Sequence, residues 1–335
     1  MKLGIFVGEE NWTFFREISE DLTVHYQIEI YHRKNYNTPL LYGRLNRWAF
    51  QRGIRDVLRR NEVCFFEWAS ELLMVASNMP KRCGIVTRLH SFELYDWALK
   101  INWAAVDRVI LVSRAMQQKF IAQYPNYAER TRVINNGKPL DKFRPVSRQF
   151  EGNLGMLCNL TPIKRVYEVI LSLHELLQRG YKLYLHLGGE PRQSGTDERY
   201  YASIRRAVEK LDLQEQVIFY RRVQEPENWF KMIDLFISNS FWEGQQVALI
   251  EAMASSCYCL SHFWDGVEEI LPPENIYSTE LDLQRKIIDY YEMSDELKQD
   301  HRARMRNIAE LRFNIDFTKK AIRDIIEELG HDGYR

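Results

Sequence analysis

Short apolar runs rich in β-branched and aromatic residues alternate with longer segments of helical period along this chain. The runs at 3–7, 27–31, 63–67, 84–89 and 108–112 are nearly continuous in apolar side chains, as expected of strands buried on both faces of a parallel sheet. Residues 12–20, 42–60 and 114–123 carry the 3.6-residue period between them. A stretch dense in turn formers, Asn136-Gly137-Lys138-Pro139-Leu140-Asp141, interrupts the pattern. It then resumes, with strands predicted at 154–158, 183–187, 217–220, 235–238 and 258–263, and helices at 165–178, 198–211 and 247–255. Repeated βα alternation predicts an α/β protein with right-handed crossovers. The reading is two doubly wound domains, 1–146 and 147–312, with an interdomain cleft. From about residue 282 the chain is helical and strongly charged, and 313–335 is taken as a separate final helix.

A chain of 335 residues has the length of two domains. The 46 basic and 46 acidic residues cancel, which argues against a whole-protein electrostatic grip on nucleic acid. Hydrophobic residues at 45% and charged residues at 27% describe a globular protein rather than a disordered one. The five cysteines include no CxxC pair or His-rich partner stretch, so no zinc site is expected and the thiols read as reduced and buried. The apolar run at the N-terminus is too short for a signal peptide, and no window approaches the roughly 18 apolar residues of a membrane span. A cytoplasmic protein is expected.

The densest chemistry is SFWEGQQVALIEAMASS, from Ser240, which reads as a loop entering a helix. Gly244 permits close backbone approach, and the amides of 245–247 open the helix, an arrangement that suits a diphosphate. Glu243 can accept hydrogen bonds from sugar hydroxyls, and Glu251, about one turn further on, can reach a ribose. An unpaired carboxylate in so apolar a helix would be costly.

This stretch resembles the glutamate–seven residues–glutamate signature of the family 4 retaining glycosyltransferases. Further landmarks follow in the family's order. They are Ser113-Arg114-Ala115 after an apolar strand, Asn136-Gly137 followed by Asp141, Phe143 and Pro145, the run from Leu157 to Lys164-Arg165, Gly188-Gly189-Glu190-Pro191, and Asp265-Gly266 with Glu269. The resemblance implies a GT-B fold of two Rossmann-like domains, the second holding a nucleotide-sugar, and a final helix that crosses back to the first. It implies Glu251 on the ribose, Glu243 on the donor sugar and Lys164 on the diphosphate. Asn159, Arg165, Gly189, Val223, Gly244, Gln245, Gln246 and Val247 complete the expected donor site. His90, closing the strand at 84–89, resembles the family's histidine near the donor sugar, and joins Lys164 and Glu243 as a catalytic candidate; a hydrogen-bonded structural histidine is the other reading. Neither metal nor cofactor is expected, because Lys164 and the helix amides would neutralise the leaving diphosphate. A UDP- or GDP-sugar would be a substrate.

The chain departs from the family pattern at Asn159, where an arginine is usual, at Arg165 in place of a glycine, at Gln245-Gln246, and at Gly8-Glu9-Glu10 after the first strand. Two readings follow. One is a retaining transferase acting on a glycan, lipid-linked or small-molecule acceptor, by same-face attack of the acceptor hydroxyl. The other is an impaired GT-B protein that binds sugar nucleotide or glycan without turnover. A non-hydrolysing epimerase fits the signature less well. Residues 33–60 hold eight Lys/Arg against one acid, Asp56, with Leu41, Leu45, Trp48, Val57 and Leu58 recurring at helical spacing. The plainer account is a core helix with a solvated basic face. The functional one is peripheral contact with an anionic membrane or acceptor, at the inner face of the membrane. No nucleic-acid reader motif accompanies the patch.

Overall fold

The computed structural model describes residues 1–8, 12, 15–37, 42–192 and 194–331. The chain forms two compact units: residues 1–137 with 315–335, and 138–314.

The first unit is built from β1 (Lys2–Phe6), α1 (Arg16–His25), β2 (Gln27–Ile30), α2 (Tyr42–Arg60), β3 (Val63–Phe66), α3 (Glu71–Ser77), β4 (Gly84–Leu89), β5 (Arg108–Leu111), α4 (Arg114–Gln123) and β6 (Thr131–Val133). Among the described residues its strands form one parallel sheet in the order β2-β1-β3-β4-β5-β6. Strand alternation divides its core in two. Phe6, Phe66, Ile85 and Val109 pack on one face, and Ile5, Phe65, Val86 and Ile110 on the other.

The second unit runs β7 (Asn153–Leu157), α5 (Val166–Gln178), β8 (Tyr184–Gly188), α6 (Gly195–Lys210), β9 (Val217–Tyr220), α7 (Pro226–Trp229), β10 (Leu235–Ser238), α8 (Val247–Ala254), β11 (Tyr258–His262), β12 (Ile276–Tyr277), α9 (Glu280–Glu292) and α10 (Asp295–Arg312). Its parallel sheet has the order β12-β11-β10-β7-β8-β9. The last helix, α11 (Ile315–His331), belongs to the first unit. Its Ile315, Ile322, Ile325, Ile326 and Leu329 fill the second face of that unit's core. Full burial of such a side chain contributes about 1.5–3 kcal/mol.

The expected junction at 146 lies inside the second unit. Leu140 and Phe143 are part of that unit's core. Arg306 donates to the carbonyls of Leu140 at 3.2 Å and Phe143 at 2.6 Å, and Arg302 to that of Val146 at 3.1 Å. The helix expected at 12–20 is seen as α1, shifted toward the C-terminus and burying Ile18, Ser19 and Leu22. Residues 13–14 of that reading, the acidic Glu9-Glu10 and Leu41 lie outside the described residues. Trp48 does not join the buried stripe of α2. That stripe is Phe50, Ile54, Val57 and Leu58, which puts Trp48 on the opposite side of the helix, 53% exposed. Among the described residues no helix is long and apolar enough to cross a membrane.

Candidate functional site

In the second unit the direction of strand addition reverses between β7 and β10. Ligands of open α/β sheets bind outside the carboxyl ends of the strands at such a point. The two loops that leave it are 158–165 and 239–246.

The first loop tightens into a turn at Pro162–Lys164, with the Lys164 amide donating to the Thr161 carbonyl at 3.0 Å. Arg165 then takes a left-handed conformation, φ 51°, before α5 begins. The second loop is braced against the first. Phe241 N donates to Ile163 O at 2.9 Å, and the Asn239 side-chain amide to Arg165 O at 2.9 Å. Tyr277 Oη holds Asn239 from behind at 2.7 Å.

This bracing brings Lys164 and Glu243 together. The Lys164 ammonium donates to Glu243 Oε1, and Ser240 Oγ donates to the same oxygen at 2.7 Å. Both charged side chains keep a small solvent-accessible fraction, 16% and 14%. Gly244, Gln245 and Gln246 are buried behind them and lead into α8. The helix starts at Val247 with no side-chain cap and no acidic residue in its first turn, leaving the positive end of the helix dipole uncompensated by side chains. Gln246 Oε1 is buried there with no hydrogen-bond partner.

Glu251, one turn inside α8, is buried and paired: Lys138 Nζ lies 2.8 Å from its Oε1. Sequence reasoning named the cost of an unpaired Glu251 but overlooked Lys138. The only available signal was that lysine's place in the Asn-Gly-Lys-Pro turn. Ser240, which fixes the Glu243 carboxylate, was also missed as a contributor, although it stands in the motif.

The remaining expected donor residues divide. Gly189, at φ +129°, packs against the first loop, where a Cβ would meet the Cys158 carbonyl oxygen at 1.8 Å; only glycine fits. Val223 is half-buried beside Gly188 at the end of β8. Asn159 is exposed. The Arg165 guanidinium bonds to Glu280, lies 3.7 Å from Glu168 and covers the Phe241 ring at 4.7 Å. His262, behind this loop, donates from Nδ1 to Ser240 O at 3.2 Å; burial, then Arg165, pushes its pKa down.

His90 sits in the first unit after β4. Its Nε2 is 3.6 Å from Glu67 Oε1, and its ring lies on Trp68 with centroids 4.2 Å apart. Glu67 also takes a two-pronged bond from Arg88, at 2.8 and 3.0 Å, and Arg88 reaches Asn136. Glu93 is buried nearby with its pKa raised, chiefly by burial, against the opposing influence of His90. The sequence pattern alone did not point to Glu67 as a partner of His90. Among the described residues no three His, Cys, Asp or Glu side chains converge as a metal-ligand set.

Comparison with known proteins gives the family and the fold. The profile of "Glycosyl transferases group 1" matches residues 141–312, and that of "Glycosyltransferase Family 4" matches residues 7–142. Alpha-monoglucosyldiacylglycerol synthase of Streptococcus pneumoniae is 25% identical over 267 residues, 74% of this chain and 55% of that protein. The match thus spans little more than half of that relative's length. Anabaena HepE, solved with UDP and glucose, superposes with a TM-score of 0.80 over 98% of this chain and 100% of its own, at 18% identity. Sucrose-phosphate synthase of Thermosynechococcus elongatus gives 0.78 over 99% and 100%, at 14% identity. The fold is GT-B, and the chain belongs to the group 1 glycosyltransferases.

Proposed function

We propose that the protein is a retaining, metal-independent hexosyltransferase using a UDP- or GDP-sugar. The observation that carries this reading is the Lys164–Glu243 pair at the reversal point of the second sheet, beside the uncapped start of α8. Without ligand the two side chains neutralise each other. A bound donor would replace that contact with two: Lys164 on the diphosphate and Glu243 on the sugar hydroxyls. The α8 amides would share the negative charge that grows on the diphosphate as the glycosidic bond breaks. Glu251, held by Lys138, would take the ribose hydroxyls. His90 is retained as the candidate catalytic group of the first unit. The acceptor hydroxyl would attack from the face the diphosphate leaves, with no covalent glycosyl-enzyme. UDP and UDP-glucose in complexes of the HepE structure support a uridine donor first and a guanosine donor second.

The acceptor is a glycan, a lipid-linked sugar or a small molecule. Peripheral membrane contact has support in α2, whose exposed side carries Arg44, Arg47, Trp48, Arg52, Arg55 and Arg59. Arg52 lies 5.0 Å over the Trp48 ring, an arrangement that suits anionic headgroups with an aromatic at the interface. Cosedimentation with phosphatidylglycerol vesicles, but not with phosphatidylcholine vesicles, is the expected outcome; equal recovery with both would remove this part.

The test of the donor site is thermal stabilisation by UDP, GDP and their sugars, followed by transfer assays with and without chelator. A ligand at 100 times its Kd stabilises by about 2.7 kcal/mol. Stabilisation with turnover that survives chelator supports the proposal. Stabilisation without turnover toward any acceptor favours the impaired reading, which the commitment of Arg165 to Glu280 supports.

A further inference from the structure

The first sheet has its own reversal point, between β1 and β3. Glu67 leaves the end of β3 there, its amide donating to the Phe6 carbonyl of β1 at 3.0 Å. Its carboxylate is fully buried, and Arg88 Nη1 donates to both of its oxygens. The other terminal nitrogen of the guanidinium, Nη2, donates to Asn136 Oδ1. The carboxylate is thus held against rotation, and its Oε1 stands 3.6 Å from His90 Nε2. We infer that Glu67 is a positioning residue: it fixes His90 as the neutral tautomer with the proton on Nε2 and the lone pair on Nδ1. The consequence for the transfer rests on the reading of His90 under Proposed function.

Electrostatics at Nε2 decide where the proton sits. That nitrogen is buried away from water. A lone pair there would face a carboxylate oxygen, and the two negative ends repel with little screening. An N–H in the same place turns its positive end to the oxygen. A neutral imidazole has one donor nitrogen and one acceptor nitrogen, so a proton on Nε2 leaves Nδ1 bare.

The ring itself is held as firmly as the carboxylate. It lies on Trp68 with centroids 4.2 Å apart and 31° between the planes. Trp68 follows Glu67 in the chain, so one short segment supplies both the face and the edge contact of the ring. The His90 side chain is 12% exposed, and with Nε2 buried that exposure falls on the rest of it.

The other charges nearby do not compete for the tautomer. Arg88 is engaged by Glu67 and Asn136. Glu93 is fully buried, and burial biases its carboxyl toward the neutral form. Glu67 is the carboxylate that remains to orient the ring. A histidine so held accepts at Nδ1. In the transfer it would therefore take a hydrogen bond from a sugar hydroxyl rather than give one.

Nitrogen-15 NMR of the full chain, labelled at histidine, reads the tautomer without any substrate. The spectrum of His90→Ala identifies His90 among the eight histidines. At about pH 8, where an ordinary histidine is neutral, wild type should show Nε2 protonated and Nδ1 bare. Glu67→Gln should reverse this. Arg88 would hold the amide oxygen, which turns the amide NH2 toward His90 to donate to Nε2. Turnover of Glu67→Gln at saturating donor should fall about tenfold, the factor that ~1.4 kcal/mol of one lost hydrogen bond produces. A wild-type ring protonated on Nδ1, or on both nitrogens, overturns the inference, and this spectrum decides even where Glu67→Gln fails to fold. A folded Glu67→Gln that keeps the wild-type tautomer overturns it as well. Wild-type turnover in His90→Ala would remove the histidine from the reading under Proposed function, while the spectra test Glu67 independently of it. Lowered turnover in His90→Ala beside wild-type turnover in a tautomer-reversed Glu67→Gln would overturn the acceptor role of Nδ1.

Discussion

Each unit places a basic side chain against a glutamate at the ends of its strands, and the two pairs differ in their access to water. Arg88 and Glu67 in the first unit are 1% and 0% exposed. Lys164 and Glu243 in the second are 16% and 14% exposed. A pair sealed from solvent has no substitute partner, so moving either member strands a buried charge. A pair at the rim of a loop can trade its partner for a phosphate or a hydroxyl. The choice of cation follows. Arg88 presents a planar fork that satisfies both carboxylate oxygens of Glu67, whereas the lysine is a compact, mobile charge suited to a diphosphate. The same charge pairing is sealed from water in one sheet and, on the proposed reading, exchangeable for a ligand in the other.

The largest effect should come from the sealed pair. Arg88→Met leaves Glu67 charged and buried, and should cost about 3–5 kcal/mol of stability. Urea unfolding measures it, and the double variant with Glu67→Leu should recover much of the loss. A single-variant loss under about 1 kcal/mol would make the two pairs equivalent and end the comparison. Lys164→Ala should do the reverse. Stability should change little, because Ser240 still serves Glu243, while turnover falls roughly a hundredfold to a thousandfold. Steady-state kinetics on protein of wild-type circular dichroism decides this, and wild-type turnover would place the diphosphate elsewhere.

A third change sharpens the contrast inside the second unit. Lys138→Met releases Glu251 from its partner without touching Lys164. The donor KM should rise roughly tenfold at nearly constant kcat, as expected where ribose contacts are alike in ground and transition states. A fall in kcat instead would move Lys138 into the chemistry.

The smallest effect concerns pH. Burial and Arg165 depress the pKa of His262, so near pH 6 the native state binds fewer protons here than the unfolded chain. Stability from this site is complete above the ordinary value of 6.5 and is lost as pH falls below it. The melting-temperature advantage of wild type over His262→Asn should thus shrink between about pH 7.5 and pH 5.5. A constant difference would show that His262 takes up protons alike in the folded and unfolded states.

The central strands were legible because sheets covered on both faces require continuous apolar runs, as in Val63–Phe66 and Leu235–Ser238. The edge strands Thr131–Val133 and Ile276–Tyr277 were not, being too short to show a period. Trp48 was misjudged because an aromatic at helical spacing looks the same whether it faces core or solvent; Phe50 and Ile54 set the buried side. In the candidate site, the residue types Lys164, Glu243 and Glu251 were readable from a local motif. Their partners were not. Arg165 is directed by Glu280, 115 positions away, and Lys138 meets Glu251 across a comparable stretch. Sheet order, and with it both reversal points, depends on crossovers that no local pattern records.

The return of α11 to the first unit bears on how the chain is made. During synthesis the second unit is contiguous and can close as soon as residue 314 has emerged. The first unit, although translated earlier, has only Phe15, Ile18 and Leu22 to set against the face formed by Leu3, Ile5, Val63 and Val86 until Ile322, Ile325, Ile326 and Leu329 arrive. At roughly 5–20 residues per second, that leaves the apolar sheet face half-covered on the ribosome for on the order of ten seconds or more. The unit whose translation starts first is the last to be completed.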